Sequence, residues 1–308
     1  MKNDKFIKEA ALLAGPYCIT DGEKFRLKDY DPADTNGVKN KQHAQSILDR
    51  RVGLLSNMQE KLYAQDRWAL LVILQGLDAA GKDGVVKHVM SGVNPQGCEV
   101  SSFKSPSNEE LNHDYLWRTH KRVPERGKIG IFNRSYYEEV LVVRVHAEFL
   151  KAQKLPDRLM TKQIWNERYE DINAYERYLS RNGVLIRKFF LQLSKKEQKK
   201  RFLERLEDPD KNWKFSMSDA QERGFWKDYQ QAYEEVIQKT ATKHSPWYVV
   251  PADNKWFTRL VVASAIIEAL DGLDLAFPVV DKAKKEELRA VRESLLRGQD
   301  PAKAGQSR

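Results

Sequence analysis

The chain has 308 residues, 41% apolar and 31% charged, enough for one large domain or two small ones with a proper buried core. Lys and Arg number 53 against 44 Asp and Glu, a net charge of +9 that favours polyanionic partners such as nucleic acid, anionic lipid or polyphosphate. The longest nearly apolar run, Leu260 to Ile267, is eight residues including Ser264 against the roughly 18 that a membrane span needs, the interrupted MKNDKFIKEAALLAG start does not read as a signal peptide, and two cysteines, Cys18 and Cys98, have no metal or disulfide-scaffold spacing. The expectation is a reduced, cytoplasmic protein with no membrane segment.

In chain order, residues 1–40 read as a polar, irregular extension with turn signals at Asp21-Gly22, Asp31-Pro32 and Asn36-Gly37. A helix fits 41–64, where Ile47, Leu54, Leu55, Met58 and Leu62 form one stripe. The continuous apolar run Trp68 to Leu74 has the pattern of a strand buried on both faces of a parallel sheet. Further strands are expected at Val100–Phe103, Ile129–Phe132, Val184–Leu193 and Trp247–Val250, separated by helical patterns at about 84–91, 107–121, 135–147, 158–181 and 218–243. This alternation predicts an α/β fold in three layers, a mainly parallel central sheet with helices on both faces. The main domain spans 41–280. From Asp281 a helix with Leu288, Val291 and Leu295 on one face offers a docking or subunit-contact surface, and a flexible tail is expected up to 308.

Directly after the first strand comes Gly76-Leu77-Asp78-Ala79-Ala80-Gly81-Lys82-Asp83-Gly84, then a helix start. Strand, G-x-x-x-x-G-K loop and helix make a phosphate-binding P-loop. Glycines let backbone N–H groups turn inward, the helix N-terminus adds its positive dipole end, and Lys82 supplies a mobile charge for a transferring phosphoryl group. A standard P-loop has Ser or Thr after the lysine to hold Mg²⁺, whereas this chain has Asp83, with Asp78 inside the loop. Two carboxylates beside a phosphate repel it unless a divalent cation lies between, so Asp78 and Asp83 are the expected metal ligands.

The strand at 129–132 ends in Asn133-Arg134-Ser135-Tyr136-Tyr137-Glu138, and ligands in open α/β sheets bind beyond such strand ends. Asn133 and Arg134 should therefore lie near Lys82. Glu138 can act at the site or serve as the far end of a Ser135-x-x-Glu138 capping box. Six of the eleven residues from Lys195 to Arg205 are basic, on a helix pinned to the core by Phe202, Leu203 and Leu206. With the Pro- and Lys-containing loop that follows, it reads as a basic lid over about 195–224 that excludes water from phosphoryl transfer. A second basic group is Arg118, His120, Lys121 and Arg122.

The chain resembles the polyphosphate kinase 2 family over roughly residues 20–280. The resemblance rests on the P-loop from Gly76 to Gly84, Asn94-Pro95, Asp114-Tyr115-Leu116-Trp117-Arg118, Phe132-Asn133-Arg134-Ser135 with Tyr137-Glu138, Lys211-x-Trp213-Lys214, and Ser245-Pro246-Trp247. It implies a P-loop kinase fold similar to thymidylate kinase, and phosphoryl transfer between inorganic polyphosphate and a nucleotide with Mg²⁺ or Mn²⁺. It implies catalytic roles for Asp78, Lys82, Arg134 and Glu138, and phosphate or nucleotide binding by Gly76, Ala79, Ala80, Gly81, Lys82, Asp83, Gly84, Arg118, Asn133 and Arg134. Lys87, Lys121, Arg122, Lys200, Arg201, Arg205, Lys211 and Lys214 would form the polyphosphate track. Asn133 with Glu138 is similar to the branch accepting nucleoside monophosphates, in some cases diphosphates too. Adenine or guanine nucleotides are the expected partners, and a homo-oligomer, dimer or tetramer, is expected. The rival readings are an ATP-dependent nucleoside monophosphate kinase and a nucleic-acid-binding P-loop protein; no reader motif for specific nucleic acid is present.

Overall fold

The computed structural model describes residues 2–210 and 212–298 and contains two compact units, Met1–Leu275 and Ala276–Arg308. The first is built on six strands: β1 (Cys18–Ile19), β2 (Ala69–Gln75), β3 (Cys98–Ser102), β4 (Ile129–Asn133), β5 (Val184–Gln192) and β6 (Trp247–Pro251). Their order is β1-β6-β5-β2-β4-β3, parallel throughout except for β1, which runs antiparallel to β6. The helices of this unit are α1 (Lys2–Ala14), α2 (Lys41–Gln65), α3 (Lys82–Val89), α4 (Trp117–His120), α5 (Val142–Val145), α6 (Ile164–Arg181), α7 (Lys195–Glu207), α8 (Met217–Glu222), α9 (Trp226–Thr240) and α10 (Lys255–Asp271).

Every residue of β2 is buried, as its unbroken apolar run predicts. Alternate side chains enter opposite layers: Leu70, Val72 and Leu74 join a core with α1, α2, α3 and α10, while Ala69, Leu71 and Ile73 join one with α6 and α9. The three-layer expectation holds. No helix among the described residues is long and apolar enough to cross a membrane.

Four local expectations change. The first forty residues are not irregular: α1 buries Ala10 and Ala14 in the first core, and β1 is too short to show a strand period. The 107–121 pattern is mostly turn, because Ser107 and Glu110 cap one short start and the Asp114 carboxylate accepts from Leu116 N at 3.0 Å to begin another; such local side-chain bonds compete with a continuous helix. The 135–147 pattern likewise breaks into short pieces with a 3₁₀ turn at Tyr136–Val140, and the 218–243 pattern is interrupted by a 3₁₀ turn at Arg223–Phe225 before the 15 residues of α9. No expectation covered α10, which is apolar around most of its circumference and buried, so it carries no amphipathic stripe to mark it as a helix.

Lys188 of β5 points into the second core and is fully buried, as is Glu176 of α6. Its amine donates to Glu176 Oε2 (2.7 Å), Tyr137 Oη (3.0 Å) and Thr240 O (2.7 Å). The other carboxylate oxygen accepts from Tyr136 Oη at 2.8 Å and Tyr137 Oη at 2.7 Å. Burial pushes the Lys188 ammonium down and Glu176 holds it up. Removing one member of a satisfied buried pair strands the other, at about 3–5 kcal/mol. Lys188→Met should therefore lower unfolding free energy by about that amount in urea titrations; a loss below about 1 kcal/mol contradicts the assignment.

The second unit contains α11 (Lys282–Leu296), N-capped by Asp281, whose carboxylate accepts from Lys284 N at 2.7 Å. Leu288, Val291 and Leu295 are exposed along it.

Candidate active site

Sheet register decides what meets at the site. Leu74 of β2 pairs with Asn133 of β4, so Gly76 and Arg134 leave the sheet at the same level and the same end. Gly76 (φ +154°) passes so close to Leu191 that a Cβ would lie 3.0 Å from its carbonyl oxygen. Gly81 (φ +105°) makes the turn into α3. The backbone N–H groups of the first turn of α3 lack intrahelical acceptors by construction, so the amides around Gly81, Lys82, Asp83 and Gly84 can receive an anion. Ala80 N is used inside the loop, donating to Leu77 O at 3.1 Å.

The charged groups form one array. Arg134 NH2 donates to Asp78 Oδ1 at 2.8 Å and NH1 to Glu138 Oε2 at 3.2 Å. With its amide nitrogen turned toward Glu138, Gln75 donates to Oε1 at 2.9 Å and accepts from Ser135 N at 3.2 Å. Glu138 and Asp78 both raise the basicity of Arg134. Ser135 accepts from Tyr137 N at 3.1 Å, so the hydroxyl caps the turn while Glu138 faces Arg134 and does not close a capping box. Asn133 stands where an acid is common, and its amide donates to Asp83 Oδ1 at 2.7 Å, orienting that carboxylate. The Lys82 amine lies within the curl, donating to Gly76 O at 2.6 Å and Leu77 O at 3.4 Å. Ala79 and Arg134 both have left-handed backbone, φ +65° and +64°, a conformation costing about 1–2 kcal/mol for a side-chain-bearing residue and typical of functional turns.

One neighbour carries no sequence signal. Tyr233 of α9, buried and stacked on Phe190 at 4.0 Å, walls the array from behind. Burial and the nearby Glu138 carboxylate push its phenol pKa well up. In sequence it is one more aromatic on the buried face of a helix.

The proposed polyphosphate residues are dispersed. Arg118 donates to Lys104 O at 2.7 Å, just past β3 and therefore at the site end of the sheet. Lys121 lies over the Trp117 ring at 4.0 Å. Arg122 instead reaches Glu99 at 3.8 Å, near the start of β3 and so at the opposite end from the P-loop. Lys87 is exposed on α3. Lys200 is 66% exposed between Glu197 and Glu204, and Arg205 packs over Phe202. Arg201, expected to hold polyphosphate, is 3% exposed and bonded to backbone carbonyls. Phe202 is buried as expected, but Leu203 and Leu206 are exposed and do not pin α7 to the core. Lys211 and the side chain of Lys214 lie outside the described residues.

Asp78 and Asp83 suit a divalent cation shared with phosphate. Among the described residues no group of three or more His, Cys, Asp or Glu is arranged to hold a metal ion. Mg²⁺ characteristically binds through one or two carboxylates plus substrate phosphates, and two loop carboxylates beside amides that can receive an anion match that donor set.

Strand, glycine loop, buried lysine and an arginine shared by two carboxylates define a P-loop phosphotransferase. The family model described as "Polyphosphate kinase 2" matches residues 38–277, and the chain belongs to that family. It is 48% identical over 280 residues to the ADP-polyphosphate phosphotransferase of Rhodopseudomonas palustris, covering 91% of this chain and 97% of that protein. It is 42% identical over 274 residues to the AMP/ADP-polyphosphate phosphotransferase of Meiothermus ruber, covering 88% and 97%. The crystal structure of polyphosphate kinase 2 from Arthrobacter aurescens TC1 superposes with a TM-score of 0.82 at 40% identity, over 90% of this chain and 95% of that one.

Burial, with the positive charge of Arg134, pushes the Lys82 ammonium down to about 8, against the pull of Asp78, Glu138 and Asp83. Between about 8 and its ordinary 10.5 the unfolded chain holds more proton at this lysine, so its contribution to stability rises with pH across that window. In metal-free protein, a lysine Cε NMR resonance that disappears in Lys82→Arg should titrate with a midpoint near 8. A midpoint at the ordinary lysine value would contradict the buried assignment.

Proposed function

We propose that this kinase moves a phosphoryl group reversibly between inorganic polyphosphate and AMP or ADP, assisted by Mg²⁺ or Mn²⁺. The observation that carries the reading is the Asp78–Arg134–Glu138 array set beside Lys82 at the mouth of the loop. A terminal phosphate oxygen of the nucleotide attacks the end phosphorus of polyphosphate. The bond to the next phosphate breaks, and the chain leaves one unit shorter. Such transfer makes little covalent demand on the protein, so catalysis is positioning plus charge neutralisation.

The first turn of α3 and the Lys82 amine would receive the transferred phosphoryl group, with the amine exchanging its loop carbonyls for phosphate oxygens. Arg134 would stabilise charge on the moving group, held in place by Glu138. Asp78 and Asp83 would hold the cation, which would supply neutralisation of phosphate charge. Acceptance of both AMP and ADP is supported by Asn133 with Glu138 and by the activity named for the Meiothermus ruber relative; the Rhodopseudomonas palustris relative is named for ADP alone. The two cysteines are free, which suits a reducing cytoplasm.

Phosphorus NMR with Mg²⁺, polyphosphate and AMP should show ADP and then ATP appearing as polyphosphate is consumed. Product from ADP alone would reject the monophosphate activity, and transfer only with ATP as donor would overturn the reading. Lys82→Ala and Asp78→Asn should each lower kcat by roughly 10²–10³-fold, the scale of losing one preorganised electrostatic group. Near-normal turnover in either folded variant contradicts the site.

A further inference from the structure

A loop whose amides converge on a phosphate must turn its carbonyls the other way, and each buried carbonyl then requires a donor. Here three successive carbonyls are met from one helix. Gln198 Nε2 donates to Asp78 O at 3.1 Å. Arg201 NH1 donates to Ala79 O at 2.9 Å and to Ala80 O at 3.3 Å. The second nitrogen of the same guanidinium donates to Ala252 O at 2.6 Å and Asp253 O at 2.9 Å, just past β6. Its Nε donates to Glu197 Oε1 at 3.0 Å.

An arginine has five N–H donors, and these five contacts use all of them. Arg201 is 3% exposed, as is Gln198. Gln198 is held from behind, its Oε1 accepting from Arg223 NH1 at 2.9 Å, while Arg223 also donates to Lys195 O at 2.8 Å. The strap crosses Ala79, whose left-handed backbone needs external support to persist.

We propose that Gln198 and Arg201 are positioning residues for phosphoryl transfer: they fix the carbonyls of Asp78, Ala79 and Ala80 outward, and so aim the Asp78 carboxylate, the Lys82 amine and the α3 amides at the phosphate. α7 divides its work by face. Its inner side holds the loop, and its exposed lysines, Lys196, Lys199 and Lys200, are the ones available to a polyanion. The proposal rests on the phosphotransfer reading above, and turnover by the unmodified enzyme in the same assay separates failure of that reading from failure of this one.

The test compares Arg201→Lys, Arg201→Ala and Gln198→Met, measuring kcat, both KM values and the salt dependence of the polyphosphate KM. A lysine keeps the charge but cannot reach four carbonyls. Arg201→Lys should therefore lose about as much kcat as Arg201→Ala, on the order of 10²-fold, the scale of a misplaced reacting group. The slope of log KM against log salt should stay unchanged, since no phosphate contact has been removed. Gln198→Met keeps the shape without the donor, and should lower kcat roughly tenfold with both KM values nearly unchanged. Should the Arg201 variants fail to fold, Gln198→Met decides alone, and a kcat equal to the unmodified enzyme's in that variant overturns the proposal. It is equally overturned if Arg201→Lys keeps full kcat while Arg201→Ala raises only the polyphosphate KM and reduces the salt slope by about one. If the unmodified enzyme uses ATP and not polyphosphate as donor, the kcat comparison is made with ATP and reads the same way.

Discussion

Arg134 lies between two carboxylates from different segments, Asp78 of the P-loop and Glu138 of the turn after β4, and much of the site's architecture serves that arrangement. Opposite charges brought together at strand ends attract strongly only when geometry is fixed and solvent partly excluded. The parallel register of β2 with β4 provides the first condition, placing Leu74 opposite Asn133. The buried wall of Tyr233 contributes to the second. Lys82 adds a second cation, its charge opposed by burial and Arg134 and favoured by three acids, so a balance of three carboxylates against two cations leaves a lysine that a phosphate can claim.

Holding that balance requires unfavourable backbone at two positions, Ala79 and Arg134, and each is braced from a different layer. Ala79 is tied by its carbonyl to α7. Arg134 N donates to Leu74 O at 3.0 Å, and the residues that follow, Tyr136 and Tyr137, are fastened to Glu176 and thence to Lys188. The buried ion pair and the strap thus secure the two halves of one site.

Contiguous features were legible in the sequence. The P-loop, its two aspartates and the polar end of β4 each occupy a single short segment, and the rule that ligands lie beyond parallel strand ends brings them together. What was not legible depends on contacts distant in sequence. Arg201 looks like any other cation in a basic helix until its partners, more than fifty residues away and on two loops, are known. In sequence Leu203 and Leu206 have the pattern of a buried face, but α7 turns Gln198, Arg201 and Phe202 inward instead. Arg122 lies four residues from Arg118, yet the chain carries it toward the far end of β3. The apolar α10 shows no period to read, and α1 shows its buried face only through two alanines.

If Asp78 and Asp83 hold a divalent cation together with substrate phosphate, as proposed, the metal should bind tightly only when phosphate is present. The direct measurement is titration of Mn²⁺ against the enzyme by electron paramagnetic resonance, with and without polyphosphate under conditions of no nucleotide. Binding to the enzyme alone should be weak, and binding in the presence of polyphosphate should be tight, stronger than polyphosphate alone achieves, and lost in Asp78→Asn. Tight, stoichiometric Mn²⁺ binding to the enzyme without polyphosphate would contradict that proposal.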